Sequence, residues 1–107
     1  MNLASLQQSS KSFAVLQTTD RSQTALMTLA HGESTSEKPN VHSKSDQVVL
    51  LLEGELIAEI ADEKRQLQKG DIVIVPAGTP HKFINATSAQ ARAFSVYAPA
   101  AYPADEK

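Results

Sequence analysis

Two histidines, His42 and His81, are the side chains of this sequence best suited to chemistry, and each sits inside a patterned stretch. Imidazole takes up and releases a proton near neutral pH, donates and accepts hydrogen bonds, and ligates metals through a lone pair. The second stretch reads Gly70-(x5)-Pro76-x-Gly78-(x2)-His81-(x3)-Asn85. Gly70 and Asp71 make a turn into a strand, and Pro76 ends that strand without needing a ladder donor. Gly78 lets the chain reverse, so that His81 opens the next strand, and Asn85 can bond loop backbone and close the corner. The first stretch reads Asn40-x-His42-(x4)-Gln47-(x6)-Gly54 and carries neutral amides beside its imidazole. The remaining histidine, His31, precedes Gly32 and reads as a turn residue at the surface. The absence of cysteine excludes disulfides, thiolate catalysis and cysteine-ligated zinc. There is no serine–histidine–acid ordering, phosphate-binding glycine loop or His-Glu-x-x-His helix.

The elements that must position these residues read as short strands. Candidates are 13–17, 24–30, 46–52, 56–61, 65–69, 72–75, 81–84 and 91–97, with a loop over 32–40 and turns at Gly54, Asp62–Lys64 and Gly70. Even spacing of short apolar strands predicts an antiparallel sandwich or barrel with no helix longer than about two turns. Side chains alternate along a strand, so Gln47, Val49 and Leu51 share one face, and His81 and Phe83 share another. If Gln47 faces inward, Val49 and Leu51 line an apolar pocket around it. The opposite face, with Val48, Leu50 and Leu52, and an added strand from Phe13 to Leu16 suit a homodimer contact. Asp46, next to Gln47, is placed to orient His42, although loop acids such as Glu33, Glu37 and Asp46 are more simply solvated. Glu53, Glu55 and Glu59 read as an exposed hairpin face. Tyr97 and Tyr102 read as packing or interface residues.

The second stretch resembles the second cupin motif at every defined position. The first resembles the other cupin motif, His-x-His followed by Glu and Gly, with Asn40 in place of the first histidine and Gln47 in place of the glutamate. The resemblance spans about residues 25–97. It implies an all-β, antiparallel double-stranded β-helix, the cupin or jelly-roll barrel. The whole chain, 1–107, reads as a single cupin domain with its core over about 13–98. Residues 1–11 form a polar N-terminal arm and 99–107 an extended tail. In that family three histidines and a glutamate hold a first-row metal, which places His42, Gln47, His81 and Asn40 at the corresponding site here. Imidazole and carboxylate suit iron, manganese, nickel, copper or zinc. With two neutral amides in the set, affinity should fall and favour zinc, copper or nickel. The resemblance further implies a metal-dependent enzyme of dioxygenase or isomerase type acting on a small organic molecule. The alternatives are a metal-free pocket that binds or senses a small ligand, and a structural role for the dimer with a vestigial pocket.

Composition agrees with one small folded domain. The chain has 107 residues and 41% hydrophobic content, enough for one core. Its net charge of −2 and scattered Lys and Arg argue against a nucleic-acid partner. No leader-like N-terminus and no apolar stretch of membrane-spanning length is visible, so a cytoplasmic protein without a membrane contact is expected.

Overall fold

The computed structural model describes residues 1–6, 12–36 and 40–103. Parts of the expected arm, loop and tail, including Glu37, therefore lie outside the described residues. Among those described there are eight strands and no helix: β1 Phe13–Thr18, β2 Gln23–Leu29, β3 Asp46–Glu53, β4 Glu55–Ile60, β5 Glu63–Gln68, β6 Ile72–Val75, β7 His81–Ile84 and β8 Ala91–Ala98. Among the described residues no helix is long and apolar enough to cross a membrane.

All pairings within the sheets are antiparallel. A five-stranded sheet runs β1-β2-β8-β3-β6, and a three-stranded sheet runs β5-β4-β7. This is the barrel expected from the spacing of the strands. The core lies between the sheets, where Met27, Val49 and Leu51 of the larger meet Leu56, Leu67 and Phe83 of the smaller. Alternation produces this arrangement directly: Gln47, Val49 and Leu51 are buried, while Val48, Leu50 and Leu52 are only half-buried. The same phase on β8 buries Ala91, Ala93, Ser95 and Tyr97. Strand β1 pairs with β2 of its own chain and stands at the edge of this sheet.

The motif residues hold the corners. Asn85 is fully buried; its Nδ2 donates to the carbonyls of Leu29 (2.9 Å) and Ala89 (2.7 Å), and its Oδ1 accepts from the Thr87 amide and hydroxyl. It thereby ties the turn after β7 to the end of β2, the corner closure expected of it. Gly54, at φ +78°, makes the reversal between β3 and β4.

Candidate functional site

His81 begins β7, and its backbone is clamped on both sides. Its N–H donates to the Asn40 carbonyl (2.9 Å), and its own carbonyl accepts from the Asn40 N–H (2.7 Å). Its Nδ1 lies 3.0 Å from the Thr79 carbonyl, which can only accept. In the neutral ring the proton therefore sits on Nδ1, leaving Nε2 with the free lone pair. His42 is stitched to the loop after β6, where its carbonyl accepts from the Gly78 N–H (2.9 Å). The two imidazoles converge, with ring centroids 5.1 Å apart. Asp46 does not orient His42; its Oδ1 accepts from the Ala77 amide at 2.8 Å, which fixes the same loop from the other side.

Gln47 and Tyr97 face each other across the β3–β8 ladder, with Val49 opposite Ser95 two pairs further along, on the same face. Gln47 is buried, its Nε2 donates to Ser95 Oγ (3.2 Å), and its Oε1 has no hydrogen-bond partner among the described residues. Turning the amide over would exchange the two ends and still leave one unsatisfied. A buried unpaired amide end costs about 1–3 kcal/mol, which a ligand or water can recover. Tyr97 stays protonated: burial above all, then Tyr102 beside it, holds its phenol far above the usual range. Tyr102 comes from the segment after β8 and lays its ring 5.5 Å from that of His42, its hydroxyl 3.5 Å from His42 Nε2.

These groups surround a cavity of about 190 Å³. His42, His81, Gln47 and Asn40 all line it, so the four residues picked out by the sequence share one space. Met27, Leu29 and Phe83 supply apolar wall, while Val49 and Leu51 belong to the core cluster beneath. Among the described residues no Lys or Arg lines the cavity; the one acid there, Glu33, is exposed, and its Oε1 accepts from the Ala30 amide. His31 lies at the surface, as expected. Sequence reading missed Tyr97 and Tyr102 as site residues. The inward phase of Ser95 and Tyr97 was available for the first; nothing in the pattern of the tail signalled the second.

The donor set does not fit the charged metal centre that the cupin motif implies. Among the described residues no three of His, Cys, Asp and Glu come together in a group that could hold a metal ion. Apart from the exposed Glu33, whose carboxylate is engaged by the Ala30 amide, what converges on the cavity is two imidazoles, neutral amides and a protonated phenol.

Burial, and then the charge of His81, lower the pKa of His42 from its ordinary 6.5. The folded protein thus prefers this ring neutral, whereas the unfolded chain protonates it earlier. Its contribution to stability is complete above pH 6.5 and is lost as pH falls through the lowered folded value. We expect urea midpoints to fall as pH drops below 6.5, and to fall less in His42→Gln. Parallel curves for the two proteins would remove His42 as the cause.

Comparison with known proteins places this architecture. The cupin domain family model matches residues 25–97. A germin-like protein 9-1 of Oryza sativa subsp. japonica is 31% identical over 77 residues, covering 64% of this chain and 31% of that protein. An uncharacterized protein of Acanthamoeba polyphaga mimivirus is 31% identical over 96 residues, covering 86% of this chain and 59% of that one. The chain thus spans less than two thirds of either relative. Among solved structures, a Thermus thermophilus protein matches at TM-score 0.80 and 28% identity, covering 92% of this chain and 98% of its own. A Silicibacter pomeroyi structure described as a sugar phosphate isomerase from a cupin superfamily matches at TM-score 0.70 and 25% identity, covering 83% and 60%.

Proposed function

The chain belongs to the cupin family, and we propose that its barrel mouth binds a small, uncharged polar organic molecule without a resident metal. The observation that carries this reading is the buried amide of Gln47, left with an unsatisfied end beside two converging imidazoles. His81 Nε2 accepts from a ligand hydroxyl, His42 offers a second imidazole, and Gln47 supplies whichever amide end the ligand requires. The cavity is smaller than the roughly 300–1,000 Å³ of drug-sized sites. A small hydroxylated or carbonyl compound matches it. The Silicibacter pomeroyi relative is described as a sugar phosphate isomerase; with no Lys or Arg on the wall among the described residues, the sugar part suits this cavity better than the phosphate. We read the chain as a cytoplasmic protein with no nucleic-acid or membrane partner, in keeping with its mixed charge.

A second reading keeps a soft divalent ion, since two imidazoles on one zinc at about 2.0–2.1 Å have ring centres a little over ~5 Å apart. His42 and His81 would hold it, with Gln47 Oε1 and Asn40 as neutral additions, and the bound ion would polarise a carbonyl. The test titrates chelator-treated protein with small polyols, hydroxyketones and, separately, zinc, read by melting temperature and by amide shifts of Gln47 and His81. Binding of an organic compound to metal-free protein supports the first reading. Organic binding only after zinc loading overturns it in favour of the second.

We also propose a homodimer built on the outer face of the large sheet. Register lines up Ile74, Val48 and Val96 in one row, and Ile72, Leu50 and Phe94 in the next. Ile72 and Ile74 are 64% and 60% exposed on an edge strand, an aggregation liability unless a partner covers them. A second copy offers the same rows about a two-fold axis. Light scattering is expected to give a dimer mass, and Ile72→Lys with Ile74→Lys a monomer. A monomeric parent protein at high concentration would end this proposal.

A further inference from the structure

After β8 the chain turns back over the barrel mouth, and what holds it there is specific. Gln23, at the start of β2, is only 1% exposed. Its Oε1 accepts from the N–H groups of Ala101 (3.1 Å) and Tyr102 (3.0 Å), and its Nε2 donates to the Tyr102 carbonyl (2.8 Å). The same nitrogen also donates to Thr18 Oγ1 at 3.0 Å. Three of the four bonds of one buried amide thus serve a stretch of two residues that belongs to neither sheet. The Tyr102 ring is fixed from three sides, with centroids 4.9 Å from Phe13, 5.3 Å from Tyr97 and 5.5 Å from His42. It lines the cavity itself.

We propose that residues 99–103 form a strap, that Tyr102 is the removable outer wall of the cavity, and that Gln23 is the latch that seats it. The proposal rests on the ligand-pocket reading and adds what governs access and size. Among the described residues the strap takes part in neither sheet, so it can lift while both sheets stay intact. When seated, it confines ligands to the small cavity and brings the Tyr102 hydroxyl beside His42. When lifted, it leaves the two imidazoles and Gln47 open to a larger molecule. Tyr102 is therefore a positioning and size-selecting residue.

Diethylpyrocarbonate labelling of the full chain at one pH, followed by peptide mass spectrometry, tests this without any ligand. Exposed His31 serves as the internal reference. With an open state populated at roughly 10% or less in the parent protein, labelling of His81, which is 3% exposed, should rise about tenfold or more relative to His31 in Tyr102→Ala, and that of the half-buried His42 should rise by less. Gln23→Ala should show the same rise, and Tyr102→Phe, which keeps the ring, should not. Tyr102→Ala lies outside the sheets, so the outcome does not depend on Gln23→Ala folding. Unchanged labelling in Tyr102→Ala, or an equal rise in Tyr102→Phe, overturns the strap. Because the readout is access to the imidazoles, a pocket that binds none of the compounds tried leaves this result standing, and the reverse holds as well.

Discussion

Gly54→Ala is expected to lose about 2–5 kcal/mol of folding stability, a large share of the roughly 5–15 kcal/mol of a small domain. Two costs combine there. The residue sits at φ +78°, a left-handed conformation that penalises any side chain by roughly 1–2 kcal/mol. A Cβ would also stand 2.5 Å from the Gln90 carbonyl oxygen and 3.0 Å from Ala91 Cα. Both are backbone atoms at the start of β8, the strand that pairs with β2 on one side and β3 on the other. Neither can swing away without shifting the centre of the large sheet. Gly70 and Gly78 provide the control, because they too have positive φ but nothing within 4 Å of an added Cβ. Their alanine variants should lose only the conformational part, about 1–2 kcal/mol. Urea unfolding of the three variants separates the two costs, and equal losses at all three positions would show that the close approach to β8 is harmless.

Gly54 also marks the boundary of what could be read from the chain. Its spacing in the motif and its φ are local matters, and the turn was legible as a turn. Its contact with Gln90 and Ala91 joins segments more than thirty positions apart, and no local pattern announces it. The same division runs through the site. Gln47 and His81 were legible because strand alternation fixes the face they occupy, Asn40 and His42 through their spacing in the motif, and the structure brings all four to one cavity. Tyr102 was not, because its place depends on Gln23, a residue whose amide looks like any polar strand position until the tail is seen folded against it. Asp46 shows the opposite failure: proximity in sequence to Gln47 suggested a partner for His42, whereas the side chain reaches across to the Ala77 amide. Sequence distance ranks polar partners poorly, since a side-chain hydrogen bond is decided by loop geometry.

Gln47→Glu should turn a pocket of neutral donors into a metal site. Gln47 occupies the motif position where related cupins, by resemblance, carry glutamate. The substitution nearly preserves shape and adds a charge where His42 and His81 already converge. In the metal-free protein this charge is unwelcome. The side chain is 3% exposed, its Nε2 donates to the Ser95 hydroxyl, and no Lys or Arg among the described residues lines the cavity. A buried carboxylate without a counter-charge shifts towards its protonated form, and the apo variant should lose about 1–3 kcal/mol near pH 7. A divalent ion reverses the sign, because one carboxylate and two imidazoles form the familiar three-ligand set of zinc sites. Added negative ligands tune affinity over orders of magnitude, so zinc should bind the variant on the order of 100-fold more tightly than the parent protein. At a saturating zinc concentration this adds about 2.7 kcal/mol to folding stability, enough to restore or exceed the parent melting temperature. The measurement is the zinc-induced shift in melting temperature for both proteins, made after removal of any affinity tag, with His81→Ala in the variant background as the control that should abolish the shift. A parent protein stabilised by zinc as strongly as Gln47→Glu would show that neutral donors already suffice, and the metal-free reading of the cavity would have to be abandoned.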